Sequence, residues 1–104
     1  LLADTPVRRT RGLMFVESMA DDAGMLFTYP RPVTLSIWMK NTLIPLDVIF
    51  ADGDGNVINV TRGKPLSLES MPSARPARYV LELNAGRAQA LGLANRGRLL
   101  VFGP

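Results

Sequence analysis

Five side chains able to do chemistry crowd one short stretch, IWMKNTLIPLDVIF, residues 37 to 50. They are Trp38, Lys40, Asn41, Thr42 and Asp47, and Trp38 is the only tryptophan. An indole offers an apolar or stacking platform. A lysine binds an anion or a carbonyl, an amide and a hydroxyl supply hydrogen bonds, and a carboxylate accepts them or serves as a base. Gathered in a pocket, these groups suit a small ligand. Gathered in a tight turn, they suit a structural knot instead. Asn41 or Thr42 would then bond backbone groups left unpaired by the turn, and Lys40 would pair with Asp47 across it. Composition alone does not separate the two readings.

The rest of the composition removes much alternative chemistry. These 104 residues hold no cysteine and no histidine. Disulfides, cysteine nucleophiles, Cys or His zinc sites and Ser-His-Asp triads are impossible within them. A base working near neutrality would be a perturbed Asp, Glu or Lys, or one of the few other groups whose pKa can be moved that far. DGDGN at 52 to 56 opens like a calcium loop, but Val57 stands at the sixth position and Gly63 at the twelfth, where glycine and glutamate are needed. A hairpin turn accounts for those glycines better. No phosphate-binding glycine pattern occurs. No metal and no cofactor is expected.

The net charge is +3, from 12 Lys+Arg against 9 Asp+Glu. The cations fall in scattered groups: Arg8, Arg9 and Arg11; Arg75 and Arg78; Arg96 and Arg98. A nucleic-acid binder favours a continuous basic face with stacking aromatics, and most aromatics here lie in apolar runs. The charge reads as a solvated surface, with no nucleic-acid partner. No apolar run approaches the roughly 18 residues of a membrane span. The length fits one domain, residues 1–104. Its opening, LLADTP, reads like the end of a strand, so the first strand is expected to be cut short.

The elements that would position the chemical groups follow from local signals. Thr5-Pro6 starts a helix over VRRTR, and Gly12 stops it. GMLFTY, 24 to 29, reads as a strand closed by the turn Pro30-Arg31-Pro32. VTLSIWM, 33 to 39, alternates like a strand. Pro45 breaks the pattern at KNTLIP. DVIFAD and NVINVTR flank Gly53-Asp54-Gly55 as a hairpin. Residues 63 to 76 read as a surface loop. ARYVLELN is a strand, Asn84 caps a helix over Ala85–Leu91, and Arg98–Phe102 is a last strand. The expected class is mainly β, or α+β: a small barrel-like, mostly antiparallel or mixed sheet with two short peripheral helices.

RGLMF, GMLF, WMKNTLIPLDVIF, DGDGNV, ARYVLELNAG and LGLANRG occur in that order along the chain. Together they resemble the bacterial and archaeal family known as domain of unknown function 192. The resemblance implies a compact β-rich domain, often made with a signal peptide and exported, hence periplasmic or secreted. It implies no activity. It makes Arg11, Trp38, Lys40, Asn41, Thr42, Asp47 and Glu82 signature positions, and Arg98 departs from an aspartate common in members.

Three functional classes follow. The first is a binding module for a small molecule, a carbohydrate or a protein partner, at a notch built from Arg11, Trp38, Lys40, Asn41, Thr42 and Asp47. The second is a hydrolase or lyase using Lys40 and Asp47, or the pair Asp47 and Glu82. The third is a structural or assembly domain.

Overall fold

A computed structural model describes residues 1–93. The chain runs β1 (Leu2–Ala3), α1 (Pro6–Arg11), β2 (Gly24–Val33), β3 (Ser36–Ile37), β4 (Leu46–Ala51), β5 (Val57–Gly63), β6 (Met71–Pro72), β7 (Ala77–Asn84) and α2 (Arg87–Ala90). The expected last strand, Arg98–Phe102, lies outside the described residues.

Five strands form one mixed sheet in the order β1-β2-β7-β4-β5. β1 runs parallel to β2, and the other neighbours are antiparallel. β3 and β6 form a separate two-stranded pair. The protein is mainly β with two short helices, as its strand patterns imply. Closure is where it departs from a barrel: among the described residues β1 and β5 stand at opposite edges.

The sheet is buried on both faces, and β4 shows this most plainly, with all six residues buried. Alternation sends Leu46, Val48 and Phe50 to one side, where they pack with Phe27, Val80, Leu13 and Met39. Ile49 and Ala51 go to the other side and pack with Val57, Leu83 and Ala88 of α2.

α1 forms for the expected reasons. The Thr5 hydroxyl accepts from the Arg8 amide at 3.2 Å, Pro6 stands in the first turn, and Gly12 leaves the helix with φ at +50°. The β4–β5 turn is held by Asp52, whose Oδ1 accepts from the Asp54 and Asn56 amides at 3.0 and 2.9 Å. This is the Asx-type turn chemistry that the glycines imply.

Three elements differ from the sequence pattern. β2 continues through Pro30 and Pro32, with a register irregularity between Thr28 and Val33 that absorbs their missing donors. The alternating stretch 33–39 forms no continuous strand: Val33 pairs with Ala77 at the end of β2, and Ser36 and Ile37 pair with Met71–Pro72 inside the expected surface loop. α2 is shorter than expected and is entered from Gly86 in a left-handed conformation. Asn84 does not cap it. Its side-chain amide donates to the Met19 carbonyl and the Asp21 carboxylate instead, at 2.6 and 3.0 Å.

Candidate functional site

A cleft of about 410 Å³ opens between α1 and the sheet face that carries Phe27 and Val80. That volume is at the low end of the roughly 300–1,000 Å³ typical of small-molecule sites. Residues of α1 and the turn after it, from Pro6 to Met14, make one wall. Ser36, Ile37, Trp38 and Thr42 make the other. Phe27 and Tyr29 of β2 and Glu82 of β7 lie beneath.

Strand register places Glu82 there. It sits opposite Met25 on β2 and opposite Val48 on β4, so its side chain points to the same face as theirs. The residue is only 5% exposed. Burial alone pushes its carboxyl from the usual carboxylate range up to about 7. Among the described residues, no hydrogen bond or ion pair reaches the carboxyl.

Tyr29 lies close to this acid. Burial raises the phenol above its ordinary value, Arg9 opposes that rise and Glu82 adds to it. At neutral pH the hydroxyl therefore keeps its proton and can donate. Arg9 stacks on the Tyr29 ring, 4.8 Å from its centre, while its Nη1 donates to the Thr28 carbonyl at 2.9 Å. The ring and the carbonyl hold this guanidinium against the cleft wall. Arg11 is exposed on the same wall and has no partner among the described residues. Trp38 is half exposed, with the Lys40 ammonium 5.2 Å from its ring centre.

The structure divides the six nominated residues. Arg11, Trp38 and Thr42 line the cleft. Lys40 attends the cleft only through the Trp38 ring. Asn41 is part of the turn: it has φ at +56°, and its carbonyl accepts from the Phe15 amide at 2.8 Å. Thr42 does both jobs, since its hydroxyl donates to the Lys40 carbonyl at 3.2 Å and its own carbonyl accepts from Leu66. Asp47 is elsewhere. It is buried on the opposite sheet face, where Oδ1 accepts from Arg62 Nε at 2.8 Å and Oδ2 accepts from the Gly86 and Ala88 amides, each at 2.9 Å. It binds the start of α2 to β4.

This geometry corrects two pairings. Lys40 does not pair with Asp47, because Arg62, directly across the β4–β5 ladder, holds that place. Asp47 and Glu82 do not form a carboxylate pair, because they point from opposite faces of the sheet. The cleft's own chemistry rests on Arg9, Tyr29 and Glu82, which were not nominated as ligand contacts. The signal for Glu82 was present: a single acid among Val80, Leu81 and Leu83 in ARYVLELN. Period-two alternation assigns such a residue to a solvated face, and here both faces are covered.

Comparison with known proteins agrees with the fold. A crystal structure from Sinorhizobium meliloti 1021, described as a "putative transcription regulator", superposes with a TM-score of 0.89 at 41% identity. The match covers 93% of this chain and 76% of that one. A protein of unknown function from Novosphingobium aromaticivorans DSM 12444 also gives 0.89, at 38% identity, covering 93% of this chain and 70% of that one. No curated protein matches. The profile of an uncharacterised family, DUF192 (uncharacterized ACR), spans residues 1–101, and with that match the chain belongs to the DUF192 family.

Proposed function

We propose that the domain is a binding module for a small organic ligand, held in the cleft between α1 and β7. The observation that carries this reading is Glu82, a buried residue whose carboxyl has no partner among the described residues and lines a cavity of ligand size. No side-chain polar atom among the described residues is both sealed off and unsatisfied, so the Glu82 oxygens open to the cleft, where a carboxyl stripped of most of its hydration gains from a ligand donor. Aromatic, cationic and hydroxyl groups converge on the same space, as they do in small-molecule sites.

Two other readings are weaker. An enzyme built on Lys40 and Asp47 lacks its base, since Arg62 engages one Asp47 oxygen and the start of α2 engages the other. The name of the Sinorhizobium relative suggests transcriptional regulation. Six of the eight arginines among the described residues give that little support. Arg8, Arg62 and Arg75 are ion-paired, and Arg9, Arg78 and Arg87 donate to backbone carbonyls. A phosphate-binding face keeps such groups free. The family resemblance further suggests work outside the cytoplasm, which fractionation of cells making the full precursor would test.

The binding reading is tested by screening a small-molecule library against the isotope-labelled domain by NMR. The expected hits shift the backbone amides of Arg9 to Met14 and the Trp38 indole together. Hits that move only residues of the opposite face, around α2, would overturn it.

A further inference from the structure

The cleft is asymmetric, and its asymmetry states what a ligand must carry. At the bottom is an acid with no partner among the described residues, beside a phenol that keeps its proton. On the α1 wall are two guanidinium groups. Arg9 is already fixed by the Tyr29 ring and the Thr28 carbonyl, so ordering it for a ligand costs little further entropy. Only one of its five donors is used by that carbonyl. Arg11 has every donor uncommitted among the described residues. The remaining lining includes Leu13, Phe27 and Ile37, which suit an apolar body.

We propose that the ligand is a compact organic acid that also bears a hydroxyl or amino donor: its carboxylate meets Arg11 and Arg9, its donor meets Glu82, and its apolar part lies over Phe27. A neutral sugar is the less favoured occupant. The stacking faces it would need, Tyr29 and Trp38, each already carry a cation on one side. This inference rests on the binding reading above and adds the ligand's chemical class.

The experiment uses three probes that share one apolar body and are titrated by NMR. 3-Phenyllactate carries the carboxylate and the hydroxyl. 3-Phenyl-1,2-propanediol keeps hydroxyls but has no charge. 3-Phenylpropionate keeps the carboxylate and lacks the hydroxyl. Phenyllactate is expected to bind the cleft about tenfold or more tighter than the diol, the worth of a charge-assisted hydrogen bond. In Arg11→Gln, an exposed substitution that leaves the core intact, that advantage should shrink. Phenylpropionate should also bind more weakly than phenyllactate. If the diol binds as tightly as the acid, or Arg11→Gln leaves the acid's advantage unchanged, the acidic-ligand proposal is overturned while the binding module stands. If none of the three moves the cleft resonances at millimolar concentration, the acidic-ligand proposal is overturned, and the library screen decides the binding reading separately.

Discussion

Asp47 and Glu82 lie on neighbouring strands, yet their carboxyls never meet. Asp47 is across from Leu83, and Val48 is across from Glu82. Strand alternation therefore sends one acid to each face of the sheet. The consequence is a division of labour. On one face Asp47 has both oxygens engaged, by Arg62 and by two amides at the start of α2. On the other, Glu82 has neither oxygen engaged among the described residues and lines a cleft. Two residues of the same charge type, one register step apart, thus hold the fold and line the cleft respectively.

Asp47→Ala is expected to destabilise the domain by about 2–4 kcal/mol, because it strands two backbone donors near the buried Ala88. Arg62 adds little to that cost, since its side chain is 57% exposed and water can take over from the carboxylate. Asp47→Asn keeps one oxygen acceptor and should lose less. Urea denaturation of the two variants beside the wild type measures the difference. A loss under about 1 kcal/mol for the alanine variant would remove the structural assignment of Asp47.

Glu82 makes stability depend on pH with a definite sign. Its carboxyl is raised in the fold from 4.5 to about 7, so between those values the folded state holds a proton that the unfolded chain has released. Its contribution is fully present below about pH 4.5 and is lost as pH rises through about 7. A rise from 4.5 to about 7 corresponds to about 3 kcal/mol. Glu82→Gln has no proton to lose. Its stability relative to the wild type should therefore grow from pH 4.5 to 7.5, as read by urea titrations at several pH values. Parallel curves for the two proteins across that range would show that Glu82 is not desolvated.

Much of this fold can be read from local sequence. Thr5-Pro6 and Gly12 bracket α1 because caps act within one turn. The glycines at 53 and 55 mark the β4–β5 turn because its backbone and the Asp52 carboxylate are local too. The site is less legible because it is assembled from residues far apart in the chain. Trp38 and Thr42 reach the cleft from the stretch whose composition nominated them. Arg9, Tyr29 and Glu82 come from α1, β2 and β7, and they meet only through the pairing of β2 with β7 and the docking of Arg9 on the Tyr29 ring and the Thr28 carbonyl. Asp47 misleads for the same reason. Its sequence distance from Lys40 is short, but the β4–β5 ladder sets Arg62 across from it. No periodicity within residues 37–50 carries that information.

Gly24 carries a packing constraint at the first residue of β2. A Cβ built there would lie 2.8 Å from the Glu82 carbonyl oxygen and 2.6 Å from a Leu83 methyl. The methyl can move, but the carbonyl belongs to the central strand and cannot retreat without disturbing the ladder. Gly24→Ala should cost about 1–3 kcal/mol, the range for overpacking a filled site. It should also perturb the cleft through Glu82, seen as shifts of the Arg9 and Tyr29 amides in the variant's NMR spectrum. An alanine variant as stable as the wild type, with an unchanged spectrum, would show that β2 and β7 can separate freely at this end.

Lys40 separates the two readings of its stretch. A lysine that holds a turn together needs a partner inside the protein, and the one foreseen for it, Asp47, is taken by Arg62. What the geometry gives Lys40 is an exposed position and the Trp38 ring at 5.2 Å. An exposed cation–π contact is worth about 0.5–1 kcal/mol. Lys40→Ala should therefore change folding stability by no more than that in urea. Removing the cation should also alter the fluorescence of Trp38, the only indole in the chain. A loss on the order of 3 kcal/mol or more would mean a buried, charge-dependent role, and the stretch would then be a structural knot around its lysine. A small change leaves the knot to Asn41 and Thr42, whose carbonyls receive the Phe15 and Leu66 amides. Lys40 is then free to bear on whatever enters beside Trp38.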